Sequence, residues 1–180
     1  MRLAADLDGR LLEIRDLRAE DVRPDEASAW DDWDDDWLPD DEQPVHHRAA
    51  IVLDGTVVGT MSWHAVLYGP TRGSRAWSMG LALAPAARGQ GVGSLAQRLL
   101  SDALLETAYR VEASTDVANH AEQRALQKAG FHREGVLRGA QYRADGEHHD
   151  LVMYARTQAP GSAPSPAREG ARAGGDTLAG

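Results

Sequence analysis

The chain has no cysteine among its 180 residues. That absence excludes disulfides, thiolate metal sites and a cysteine nucleophile together. Lysine is nearly missing too: Lys128 stands alone, and the other 18 of the 19 basic residues are arginine. No apolar run approaches the ~18 residues that cross a bilayer, so no membrane partner is expected. The N-terminal MRLAADLDGRLLEIRD lacks the apolar stretch of a secretion signal, which makes the cytoplasm the default expectation. What remains is a chain of one-domain size, 42% hydrophobic, with enough length for a real core.

The net charge of −9 is unevenly spread. Residues 20–42 hold twelve acids and one base, Arg23, for −11; the rest carries 18 bases and 16 acids, for +2. The protein is therefore near neutral with one acidic block. A nucleic-acid partner is not expected, because neutralising phosphates requires a basic face.

The first residues, to about Gly9, are expected to be loosely held. LLEIRDL (11–17) alternates like a strand and leads into RAEDV, where a helix is predicted to start. AAIVLDGTVVGTMSWHAVL (49–67) reads as two strands around Asp54-Gly55, the strongest short hairpin signal. WSMGLALAP (77–85) is a strand closed by Pro85, and residues 92–109 place Leu95, Leu99, Leu100, Leu104 and Leu105 at helical spacing. A strand at 109–115, a helix at 119–130 ended by Gly130, and two strands around a Gly146 turn follow. The result is a β-rich α/β (α+β) domain over 1–157, with antiparallel hairpins and one central strand–helix–strand unit. The last stretch, 158–180, carries almost no large apolar side chain and is expected to be a disordered tail.

The most informative segment runs from Leu81 to Ser94. A strand enters a loop containing Gly89, Gly91 and Gly93 and passes directly into an amphipathic helix. Backbone N–H groups in such a loop approach an anion closely, the helix N-terminus adds partial positive charge, and Arg88 adds a formal one. Phosphate or pyrophosphate suits it best. Three readings compete: a connection with no ligand, a dinucleotide fold, and an acetyl-CoA site. Gly91-Val-Gly-Ser-Leu-Ala96 fits GxGxxA with Glu112 about 20 residues on. Against the dinucleotide fold, Pro85 to Arg88 separate strand from glycines, and the repeated parallel βα units are missing.

The third reading gains from the rest of the chain. Arg88-Gly-Gln-Gly-Val-Gly93 resembles the R/Q-x-x-G-x-G/A motif of the GNAT acetyltransferase superfamily. Asn119, then Lys128-Ala-Gly-Phe131 and Glu134-Gly-Val-Leu-Arg138, resemble the second half-site of its RimJ/RimL-like branch. Asp150-Leu-Val-Met-Tyr154 and residues 12–22 resemble its closing and opening strands, so the likeness covers about 10–157.

The resemblance implies a GNAT fold, with a mixed, mostly antiparallel, V-splayed sheet flanked by helices. It implies an acetyl-CoA-dependent N-acetyltransferase acting on a primary amine. Leu81, Ala82 and Leu83 would pair their backbone with the amide-rich pantetheine arm. Backbone N–H groups of Arg88, Gly89, Gln90, Gly91, Val92, Gly93 and Ser94 would hold the pyrophosphate. Asn119 would contact the cofactor near the splayed strands, and Arg124 would reach phosphate or adenosine. A non-catalytic CoA-binding relative, or an acyltransferase with a different donor, stays open, as does a homodimer.

The acid and base do not transfer cleanly. The strand position where relatives place Glu is Ser78, the helix position for Tyr is Leu126, and that for Ser is Glu122. Glu112, working through water with Ser78, is the candidate base. Trp30-Asp-Asp-Trp33-Asp-Asp-Asp-Trp37 lies where this superfamily covers its acceptor site. Indole faces and carboxylates suit a cationic ligand, so Trp33, Asp35, Asp36 and Trp37 are the candidate acceptor contacts. A solvated acidic loop is the plainer alternative. Asp31-Asp-Trp-Asp-Asp35 matches DDxxD, but that motif belongs to much larger helical enzymes. No metal site is expected: His46-His47 and His148-His149 are adjacent pairs, and adjacent strand residues face opposite ways.

Overall fold

The computed structural model describes residues 1–21, 28–30, 32–33, 36–39 and 41–159. Its turns decide how the chain begins. Asp54 and Gly55 both take left-handed backbone, with φ of 48° and 81°, as a two-residue hairpin turn requires. Asp8 and Gly9 do the same, with φ of 53° and 82°. The first four strands are therefore two hairpins: β1 (Arg2–Leu7) with β2 (Arg10–Asp16), and β3 (His47–Leu53) with β4 (Thr56–Leu67).

The expectation of a loose start is corrected here. β1 pairs with β2 along its whole length, Leu3 and Leu7 pack against the core, and the Met1 ammonium lies 2.7 Å from Asp16. After β2, residues 19–20 form a turn. The Asp21 carboxylate accepts the Arg18 N–H at 2.8 Å and two Arg15 N–H groups at 2.8 and 2.7 Å. Side-chain bonds of this kind compete with helical ones.

The second half contains β5 (Arg75–Leu83), α1 (Val92–Leu105), β6 (Arg110–Asp116), α2 (His120–Lys128), β7 (His132–Tyr142) and β8 (His148–Thr157). The sheet order is β1-β2-β3-β4-β5-β6-β8-β7, and β5/β6 is its one parallel pair. Parallel neighbours need a crossover, which α1 supplies. That pair is short: only Trp77↔Val111 and Ser78↔Glu112 are in register. Beyond them β5 runs on to Leu83, held by β4, and β6 runs on to Asp116, held by β8. The strands diverge toward their C-terminal ends, which is the expected V.

Both helices contribute to one core on one face of the sheet. The buried stripe of α1 is Val92, Ala96, Leu100 and Leu104, while Leu95, Leu99 and Leu105 are partly buried beside it. These pack with Leu12, Ile14, Ile51, Met61, Met79, Val111, Leu126, Val152 and Tyr154. α2 begins at Asn119, whose Oδ1 accepts the Glu122 N–H, and Gly130 follows its end at φ 91°. Gln158 docks back on the domain through its N–H to the Tyr109 carbonyl at 2.9 Å. Residues 160–180, most of the expected tail, lie outside the described residues. No helix among the described residues is long and apolar enough to cross a membrane.

One polar link pins the hairpin of β7 and β8 to the end of β6. Arg143 and Asp116 are 2.8 Å apart with side chains 5% exposed each. Arg143 also donates to Gln141 at 2.9 and 2.6 Å, and the Ala118 N–H donates to Asp116 at 2.6 Å. Removing one partner of such a pair strands a buried charge. Arg143→Met is expected to cost about 3–5 kcal/mol, read as a lower urea midpoint with unchanged slope.

Candidate active site

The gap between β5 and β6 is bounded at its wide end by the glycine-rich turn. Leu81 and Leu83 turn their side chains to α1: a Cβ on Gly93 would lie 3.1 Å from Leu81 Cδ2 and 3.5 Å from Leu83 Cδ1. Together with Ala82, the partner of Thr60 on β4, they face the gap through the backbone alone. Arg88 donates Nε–H to the Leu83 carbonyl at 2.9 Å, folding the loop back on its strand. Gln90 donates to the Ala86 carbonyl and accepts Arg10 Nη1 at 2.9 Å. Gly89 and Gly91 have φ of 75° and 83°. A β-carbon is strained there, so the loop depends on glycine at both.

Gly91 is also the N-cap of α1, and no side chain caps the helix. The first bond of the helical ladder is Leu95 N–H to Gly91 O at 3.1 Å, so the N–H groups of Val92, Gly93 and Ser94 precede the ladder. The Val92 side chain is fully buried, and the Ser94 hydroxyl donates to Gly91 O at 3.0 Å. The loop therefore offers amides and a helix dipole, the chemistry of an anion cradle. On the opposite wall, Asn119 is the cap of α2 and donates Nδ2–H to Thr115 at 3.0 Å. Arg124 lies exposed on α2.

At the closed end of the V, the sheet face away from the helices carries a row of polar residues. His64 on β4 pairs with Ser78 on β5, which pairs with Glu112 on β6. Glu112 is buried, and its Oε2 accepts the Tyr68 hydroxyl at 2.7 Å and Arg110 Nε–H at 2.9 Å. Arg110 reaches on to Glu134 through two bonds of 2.7 and 2.6 Å. The hydrogen bond to Glu112 raises the Tyr68 pKa, and the bond from Arg110 lowers that of Glu134. A groove of about 540 Å³ opens beside this network, lined by Tyr68, Arg110, Val136, Leu137 and Met153 among others.

Neither helix position considered for an acid is available. Leu126 is fully buried, and Glu122 accepts the buried Gln97 amide between the helices. In the acidic segment, Trp33 and Trp37 are 43% and 64% exposed, and Asp36 is exposed. Asp35 lies outside the described residues, as do Asp31 and Asp34. The segment is tethered near the sheet by the Ala144 N–H, which donates to the Asp32 carbonyl at 3.0 Å.

The adjacent histidines do face opposite ways. The His47 ring lies 5.4 Å from Trp63 on the helix side, and the His46 ring lies 4.8 Å from His64 on the open side. His149 lies 2.9 Å from Asp145 and 3.6 Å from Asp116. Sequence reading missed His64, Tyr68 and Arg110. The alternation in TMSWHAVL carried the signal, since buried Met61 and Trp63 send Ser62 and His64 to the other face.

Residues 11–131 match the model of the Acetyltransferase (GNAT) family. The chain belongs to that family. Among solved structures, this GNAT-family chain resembles Mycobacterium smegmatis RimJ in complex with CoA-disulfide, with 26% identity and a TM-score of 0.55. That match covers 62% of this chain and 53% of RimJ. RimL, a ribosomal L7/L12 α-N-protein acetyltransferase in complex with coenzyme A, matches at 25% identity and TM-score 0.55, covering 62% of each chain. A third acetyltransferase structure covers 87% of this chain and 86% of its own at TM-score 0.64; its 22% identity speaks for the fold alone. The chain thus spans between half and two thirds of RimJ and RimL. No curated protein matches.

The Arg110–Glu134 pair has a pH signature. A carboxyl whose folded pKa is depressed adds stability above its unfolded value, about 4.3, and that stability is lost as pH falls through the folded value. Glu134→Gln should lower the melting temperature at pH 7, and wild type and variant should converge as pH falls below about 4.

Proposed function

We propose that this protein is an acetyl-CoA-dependent N-acetyltransferase that acetylates a primary amine on a cationic acceptor, a peptide or protein N-terminus or a basic small molecule. The observation that carries the reading is the V between β5 and β6 with an uncapped helix N-terminus at its mouth. A ligand with amides along its length and a pyrophosphate at one end suits both features: strand-like pairing with a free β edge, and anion binding by amides.

In this reading the backbone of Leu81, Ala82 and Leu83 binds and orients the pantetheine arm. The amides from Arg88 to Ser94 hold the pyrophosphate, and Asn119 and Arg124 flank it. Bound acetyl-CoA supplies an acetyl group as an activated thioester. Backbone N–H groups of β5 beyond Ser78 are placed to polarise its carbonyl. The amine arrives on the open face, where Ser78 and Glu112 project, and the acidic, tryptophan-bearing segment attracts positive charge, with Trp33, Asp35, Asp36 and Trp37 as its proposed acceptor contacts. The RimL likeness supports an α-amine as acceptor, and the exposed indoles and carboxylates support a basic one.

Calorimetry with acetyl-CoA, CoA and NAD tests the reading. Wild type should bind acetyl-CoA and CoA at micromolar affinity and leave NAD unbound. Gly91→Glu should abolish binding, whereas Gly91→Ala, which shares the backbone strain without the charge, should weaken it less. NAD binding, or equal CoA affinity in a folded Gly91→Glu protein, would sink the assignment. Turnover is then screened with free-amine peptides and polyamines by thiol release, which has no protein background in a cysteine-free chain.

A further inference from the structure

Of the polar residues at the closed end of the V, Glu112 is the most committed. Its Oε2 serves two donors, one of them a guanidinium, and its burial leaves little room for a substrate amine. Ser78 is not basic. The third member of the row, His64, is half-buried on β4, on the same open face, one strand from β5. Neighbouring strands lie about 4.8 Å apart. An imidazole on β4 therefore stands beside Ser78, one strand from the β5 edge that the splay exposes, with its ring 4.8 Å from that of His46. Ser62↔Gly80 is the next pair on this face, so no bulky side chain of β5 stands between His64 and that edge.

We infer that His64 is the catalytic base of this enzyme, taking the proton of the acceptor amine. This rests on the acetyltransferase reading. The step balances as follows: the amine nitrogen bonds to the acetyl carbon as the carbon–sulfur bond breaks, its proton passes to the imidazole, and the thiolate leaves to be protonated from solvent.

A base must be neutral to act, and the surroundings of His64 favour that. Burial and the neighbouring His46 ring hold its pKa below the ordinary histidine range, with Glu112 pulling the other way. Among the described residues, the ionisable groups beside this row are His46 and Arg48 from the β3 side, Tyr68 beyond β4, Arg110 and Glu112 from β6, and Glu134 of β7 paired with Arg110; β5 contributes none in this row.

The test uses the full chain and the best acceptor peptide from the thiol-release screen. His64→Asn should reduce kcat by about 10²–10⁴-fold, leave KM for acetyl-CoA within about twofold, and erase the acidic limb of the pH–rate profile. His46→Asn removes a like charge, so the limb should move to higher pH with kcat retained at the plateau. A histidine NMR titration should show the His64 resonance moving the same way without any acceptor. Full kcat in His64→Asn overturns the inference, as does a lower kcat with the acidic limb intact, or a limb erased by Glu112→Gln alone. If wild type binds CoA but acetylates no amine, the acetyltransferase reading itself fails, and the two failures are told apart.

Discussion

A parallel strand pair that stops after two residues is the constraint on which the rest depends. From Met79 to Leu83 and from Ala113 to Asp116, β5 and β6 each have one edge without a strand partner. Interior strand edges of this kind are costly, because backbone polar groups left unpaired away from water forfeit hydrogen bonds. The fold tolerates the gap because each strand is pinned on its other side, β5 by nine register pairs with β4 and β6 by seven with β8. α1 braces the floor, with Val92, Ala96 and Leu100 buried against the core the strands share. A ligand that carries its own amides completes the hydrogen bonding the sheet leaves open.

The same geometry explains why the loop after β5 needs its glycines. Gly91 must turn the chain in a left-handed conformation at the helix cap, and Gly93 must let the first turn of α1 close on Leu81. Capping by a serine or aspartate would be the ordinary choice, but a capping oxygen would occupy the N–H groups an anion needs. The bare cap leaves those N–H groups open.

Much of this was legible in the sequence because it is local. Asp54-Gly55 gave the hairpin, Asn119 and Gly130 bounded α2, and the glycine turn marked the start of α1. Asp8-Gly9 carries the same hairpin signal as Asp54-Gly55, and its turn is what orders the start of the chain that was expected to be loose. What stayed illegible was pairing between distant segments. Nothing in the spacing says that Arg143 meets Asp116, or that Tyr68 and Arg110 converge on Glu112, since such contacts are fixed by register across β6, β8 and β7. The helix predicted to start in residues 18–22 is a turn over 18–21, held by Arg15 and Asp21, again a contact that strand periodicity does not encode; residues 22–27 lie outside the described residues.

The charged groups near the site divide into those that fix geometry and those left able to change state. Asp116 with Arg143, and Glu112 with Arg110 and Glu134, are paired carboxylates and guanidiniums whose value lies in position. A guanidinium keeps its charge at any pH the protein meets, so each of these pairs retains a fixed positive member that anchors the strands around it. The His64 imidazole in the row is different: it belongs to no ion pair among the described residues, so a change in its charge dismantles none. Rigid pairs beside a titratable ring suit proton transfer at the end of a cleft, because the ring changes charge while the strands that hold it stay where they are.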